Sequence, residues 1–144
     1  MRPCILDASV WLAAYDASDP NFESSAELLK LAADGHLVLA ALDLTLYEVG
    51  NAATVGWQDP DKAKEVSKIV SRSCESRIVR ADDLLMSLAA NLASEHRITV
   101  YDAAYAVASR ETTWPLISCD VKDLVGKQLA LDPQTALAMA KPNP

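Results

Sequence analysis

The sequence has 144 residues, long enough for one domain that buries its own hydrophobic core without disulfide or metal staples. Apolar residues make up 51% and charged residues 23%, a balance that excludes a disordered or low-complexity chain. A net charge of −7 excludes a protein whose main act is coating nucleic acid through non-specific phosphate contacts.

In chain order, Ile5-Leu6 reads as a short strand that stops at Asp7, followed by a helical turn from Ser9 to Tyr15. Asp16-Ala17-Ser18-Asp19-Pro20 has loop chemistry. Apolar residues at Phe22, Ala26, Leu29, Ala32 and Ala33 predict a helix over 21–33, stopped by Asp34-Gly35. A second strand is expected over 36–41 and a helix over 44–57. Asp59-Pro60 then opens another helix running to about Arg72. Ile78-Val79 suggests a short edge strand, 84–95 a helix, and Ile98-Thr99-Val100 a strand ending near Asp102. The segment 102–110 reads as helix, Leu116-Ile117-Ser118 as a strand ending near Asp120, and 129–131 as a last strand.

Strands alternating with helices imply an α/β fold with a mostly parallel central sheet of four to five strands, covered by helices on both faces. The expected division is one domain over 1–140 with a short tail over 141–144. Cys4, Cys74 and Cys119 are widely spaced and carry no metal-ligand pattern, so they read as small buried hydrophobes. The early Asp7 argues against a signal peptide, and no apolar run approaches a membrane span. The expected location is cytoplasmic, with no membrane association.

Asp7, Asp102 and Asp120 each follow an expected strand, and ligands of open parallel sheets sit beyond the carboxyl ends of the strands. Singly, each aspartate reads as an N-cap of the next helix. Three at one edge repel one another unless a cation lies between them. Glu48 is a fourth acid, set in an apolar helix on a narrow polar stripe with Thr45 and Asn51. An oxygen-only set without a His or Cys cluster suits a hard cation, Mg²⁺ or Mn²⁺. His36 and His96 are distant in sequence from these acids. The segment 62–80 holds six cations (Lys62, Lys64, Lys68, Arg72, Arg77, Arg80) against Glu65 and Glu75, either a solvated helix face or a phosphate-facing patch.

Taken together, Ile5-Leu6-Asp7-Ala8-Ser9-Val10, Tyr47-Glu48-Val49-Gly50-Asn51-Ala52, Tyr101-Asp102-Ala103-Ala104-Tyr105 and Leu116-Ile117-Ser118-Cys119-Asp120 resemble the four acidic motifs of PIN-domain ribonucleases. Their order and spacing are similar to those of compact VapC-type toxins. The resemblance implies that Asp7, Asp102 and Asp120 hold Mg²⁺ or Mn²⁺. It assigns Glu48 the fourth acid, near the metal, where it orients the attacking water. Ser9 and Asn51 would support the carboxylates, and Asp123 would be a reserve ligand. It further implies hydrolysis of RNA phosphodiester bonds, silencing by a cognate antitoxin protein, and a homodimer. Lys62, Lys64, Lys68, Arg72, Arg110 and Lys122 are candidate RNA contacts that the resemblance does not identify. The rival readings are a receiver-type phosphoacceptor domain and a non-catalytic PIN-like module that binds RNA or a partner. A haloacid-dehalogenase-type phosphatase lacks its second aspartate, because position 9 is Ser.

Overall fold

The computed structural model describes residues 2–141; Met1 and 142–144 lie outside it, and with them most of the expected tail. Four strands form one sheet in the order β3-β2-β1-β4: β1 is Cys4–Leu6, β2 Leu39–Leu42, β3 Ile78–Val79 and β4 Leu116–Ile117. Every pairing between them is parallel, with Ile5 opposite Ala40 and Leu6 opposite Ile117. Because all strands run the same way, the residues that follow them (Asp7, Asp43, Arg80 and Ser118) share one edge.

Among the described residues, seven helices surround the sheet: α1 (Ala8–Ala13), α2 (Phe22–Ala33), α3 (Asp43–Asn51), α4 (Pro60–Cys74), α5 (Asp83–His96), α6 (Val100–Thr112) and α7 (Pro133–Ala140). A π-helical turn over Ala52–Gly56 extends α3, and a second one over Val121–Val125 follows β4. The period-two alternation of strand side chains divides the core. Ile5, Ala40, Leu42 and Leu116 pack with α5 and α6 on one face. Cys4, Leu6, Leu39, Ala41 and Ile117 pack on the other with α1, α2 and α4. Both faces are covered, which is why the strands read as uninterrupted apolar runs. Cys4 and Cys74 are buried and Cys119 half-buried; burial pushes their thiols up to about 12, 12 and 11. Trp11 is core, and no helix among the described residues is long and apolar enough to cross a membrane.

Two expected strands are not formed. Residues 98–100 are no strand, because two helix caps meet there. Arg97 takes a left-handed φ of 54° to close α5, and the Thr99 hydroxyl accepts the Asp102 amide to open α6. Capping overrides the β-propensity of Ile98, Thr99 and Val100. Asp102 therefore sits in the first turn of a helix, not after a strand. The segment 129–131 makes a single parallel bridge, Leu131 to Ile117. Gln128 turns with positive φ just before it and Asp132 caps α7 just after it, so no ladder can extend. β2 also lies later than expected, at Leu39–Leu42 instead of 36–41.

Candidate active site

Asp7 leaves β1 and caps α1, and it is 5% exposed. Its Oδ1 accepts from the Ser9 amide at 3.0 Å, the Val10 amide at 3.4 Å and the Ser9 hydroxyl. Its Oδ2 accepts from the hydroxyl of Ser118. Both serines pass the connection on to the end of β4: Ser9 Oγ accepts from the Cys119 amide and Ser118 Oγ from the Asp120 amide, each at 2.9 Å. Burial still dominates and pushes the Asp7 carboxyl up to about 6, against the lowering effect of these hydrogen bonds.

Asp120 follows β4 and accepts the Asp123 amide at 2.8 Å, opening the π-helical turn. Asp102 accepts the Thr99 hydroxyl at 3.0 Å in the first turn of α6. Asp102, Asp120 and Asp123 each present an oxygen within 4.8 Å of the others. Asp7 and Glu48 fall outside that triad but belong to its field. Burial raises Glu48 to about 7, and the charges of Asp7 and Asp102 push the same way, while the Tyr105 hydroxyl opposes them. Burial likewise raises Asp102, reinforced by the charges of Asp120 and Asp123.

Capping and clustering thus coexist: Asp7 and Asp120 both cap turns, and both face the same concentration of negative charge. Glu48 Oε1 is buried with no hydrogen-bond partner among the described residues. A buried orphan acceptor beside a triad of close carboxylates, all oxygen donors, fits a hard divalent cation.

The polar stripe on α3 divides along its length. Thr45 is buried, Glu48 half-buried and Asn51 exposed, with no hydrogen bond from Asn51 to the carboxylates among the described contacts. Sequence reasoning missed three supporting side chains: Ser118, 0% exposed; Tyr105, whose hydroxyl lies 2.8 Å from Thr45 Oγ1; and Lys127, 3.8 Å from Asp123. A hydroxyl closing an apolar strand two residues before an acid was the legible signal for Ser118.

The candidate RNA contacts separate sharply. Lys62 is tied to Glu65 at 2.9 Å and Lys64 to Asp61 at 3.4 Å. Arg77 is structural, donating to the Leu39 and Ser73 carbonyls. Lys68 and Arg72 are exposed and line one hollow with Leu46, Ser67 and Ser71. Lys122 is exposed between Asp120 and Asp123 in sequence, whereas Arg110 sits in the last turn of α6, at the opposite end from Asp102. His36 and His96 stand apart from the acidic triad. The receiver-type reading finds no support at β2, where Asp43 accepts the Leu44 and Ala81 amides and serves the backbone.

A family profile described as PIN domain matches residues 4–124. Comparison with curated protein sequences finds no match. Among solved structures, a protein from Pyrobaculum aerophilum superposes with a TM-score of 0.72 at 25% identity, covering 97% of this chain and 89% of its own. The sarcin–ricin-loop-cleaving toxin VapC20 of Mycobacterium tuberculosis superposes at 0.69 and 16% identity, covering 85% and 94%. VapBC2 from Rickettsia felis, bound to a fragment of promoter DNA, gives 0.64 at 14%, covering 90% and 96%. The last two likenesses speak to the fold alone.

Proposed function

The chain belongs to the PIN-domain family, and from that premise we propose that it is a metal-dependent endoribonuclease acting as the toxin of a toxin–antitoxin pair. The observation that carries the reading is the triad of Asp102, Asp120 and Asp123 beside the buried Asp7 and the orphaned Glu48 oxygen. Close carboxylates disfavour one another's charged forms, and a bound cation relieves that repulsion. Asp102 and Asp120 are the proposed ligands together with Asp7, and Asp123 is close enough to join them. Mg²⁺ or Mn²⁺ is the proposed ion, since every donor is oxygen. Such an ion supplies charge stabilisation at a phosphodiester and lowers the pKa of water.

The protein's own side chains divide the remaining work. Ser9 and Ser118 fix both oxygens of Asp7, so its rotamer is set before substrate arrives. Glu48, half-buried beside these acids, is the group proposed to take a proton from an attacking water. Lys68, Arg72 and Lys122 are the exposed cations proposed to meet RNA phosphates. The cognate antitoxin belongs to the same proposal, supported by the toxin–antitoxin complexes among the structural neighbours, while the homodimer rests on the sequence resemblance alone.

The deciding experiment incubates the purified chain with a labelled structured-RNA pool, Mg²⁺ or Mn²⁺, and then chelator, beside an Asp7→Asn control. Cleavage that needs the ion and disappears in the variant supports the nuclease reading. A folded, ion-binding protein that cuts no RNA supports the binding-only module instead.

A further inference from the structure

Thr45 and Glu48 lie one turn apart on α3, and Asp102 and Tyr105 lie one turn apart on α6, so each helix presents a pair on one face. The two pairs meet at a buried hydroxyl contact. Tyr105 is 1% exposed, its ring in the core between the sheet and α5, and its hydroxyl stands 2.8 Å from Thr45 Oγ1. Thr45 Oγ1 already accepts the Leu42 amide at 3.1 Å. With one lone pair so occupied, its own proton can go to Tyr105, and in that arrangement the Tyr105 proton points elsewhere. The Glu48 carboxylate, one turn from Thr45 on α3, lies close enough to act on the Tyr105 hydroxyl, although the two form no hydrogen bond among the described contacts.

We infer that Tyr105 is the positioning residue of Glu48: Leu42 N–H to Thr45 O–H to Tyr105 O–H forms a directed chain that ends on the Glu48 carboxylate and fixes how it faces the cation. The inference rests on the proposed metal site and deepens it. Two features distinguish it from a simple clasp between α3 and α6. The chain starts on a backbone amide at the end of β2, which occupies one lone pair of Thr45 Oγ1 and favours donation from Thr45 toward Tyr105. And Glu48 Oε1 is buried without a hydrogen-bond partner among the described residues, although the residue as a whole is half-buried, so this oxygen is the one left for an ion. Tyr105 also sits on the same helix as Asp102, so one rigid element sets the spacing between a ligand and the positioning of another acid.

The test is a Mn²⁺ titration of the full chain followed by electron paramagnetic resonance, which needs no RNA. It compares the parent with Tyr105→Phe, Glu48→Gln, and the two combined. Tyr105→Phe is expected to weaken Mn²⁺ binding about tenfold, within the range for lost supporting hydrogen bonds. In the Glu48→Gln background the same change is expected to have no further effect. Thr45→Val is expected to weaken binding in the same direction, and Thr45→Ser to restore it. Equal losses from Tyr105→Phe in both backgrounds would show a structural clasp and overturn the inference. Parent-like Mn²⁺ binding by Tyr105→Phe overturns it too. Unchanged binding by Glu48→Gln overturns it together with the assignment of Glu48 to the metal site, whereas RNA left uncut with the cycle intact touches only the proposed nuclease function.

Discussion

The Ser118 hydroxyl donates to Oδ2 of Asp7 across 111 residues of sequence, joining the ends of two adjacent parallel strands. Because Ser118 Oγ also accepts the Asp120 amide, one buried oxygen sets the relative position of two acids.

Replacing Ser118 by Ala removes that link and leaves a buried carboxylate oxygen without its donor. The expected costs are about 1–3 kcal/mol of stability and about 10–100-fold in cleavage. Urea unfolding and single-turnover cleavage measure the two separately. Cleavage within about twofold of the parent, under an ordinary fold-change threshold, would show that Asp7 holds its place without the serine.

The raised carboxyls make the metal-free protein sensitive to pH. Asp7 titrates near 6 when folded, above its ordinary value, so the folded state holds the proton more tightly than the unfolded one. Stability from this group is therefore present at low pH and declines as pH rises from about 4 through about 6, by at most about 3 kcal/mol. Glu48 adds a decline in the same direction, ending near 7 and reduced by its partial exposure to solvent. Thermal melts between pH 5 and 8 are expected to show falling stability in chelator and a largely flat profile with Mn²⁺. A metal-free protein that gains stability over that interval contradicts the assignment of the raised groups.

The triad is not symmetrical. Lys127, 3.8 Å from Asp123, already offsets part of that charge, while Asp102 and Asp120 have no ion-pair partner among the described residues. Asp102→Asn and Asp120→Asn are each expected to lose about 100-fold or more in cleavage, as several kcal/mol of charge stabilisation go with the ion. Asp123→Asn is expected to lose clearly less. Parallel Mn²⁺ titrations check the order, and Asp123→Asn as the most damaging change reverses it.

The cations of α4 should differ in kind. Lys68→Ala and Arg72→Ala are each expected to lower the salt slope of RNA binding by about one. Lys62→Ala and Lys64→Ala should barely move it, because both side chains are already paired with acids on the same helix. Filter binding of a catalytically inactive Asp7→Asn protein at several salt concentrations gives the four slopes. Equal slopes for all four variants would return the whole segment to an undifferentiated charged face.

The sheet was legible because its strands are short, apolar and buried on both sides, so Ile5-Leu6 and Leu116-Ile117 have few other places to go. The four acids were legible because aspartate after a buried strand is conspicuous, and Glu48 because a lone carboxylate in an apolar helix wants a partner. Asp102 does lie close to Asp120, but the strand expected before it is absent. Three β-branched residues before it mimic a strand, but their backbone is consumed by the caps at Arg97 and Thr99. Ser118 and Tyr105 were harder to see, because hydroxyls inside apolar runs read as tolerated core until the fold shows what lies opposite. The cations could not be fully sorted from spacing, since Glu65 lies three residues from both Lys62 and Lys68 and only the fold shows that it takes Lys62.

The strand order carries a consequence for synthesis. Within the sheet β4 lies beside β1, the first strand made, and it brings Ser118, Asp120 and Asp123 with it. A nascent chain that ends before β4 holds β1 with one edge open and Asp7 without its distant donor. Chemistry is thus deferred until most of the polypeptide has left the ribosome, and a truncated product is an incomplete centre rather than a smaller active one.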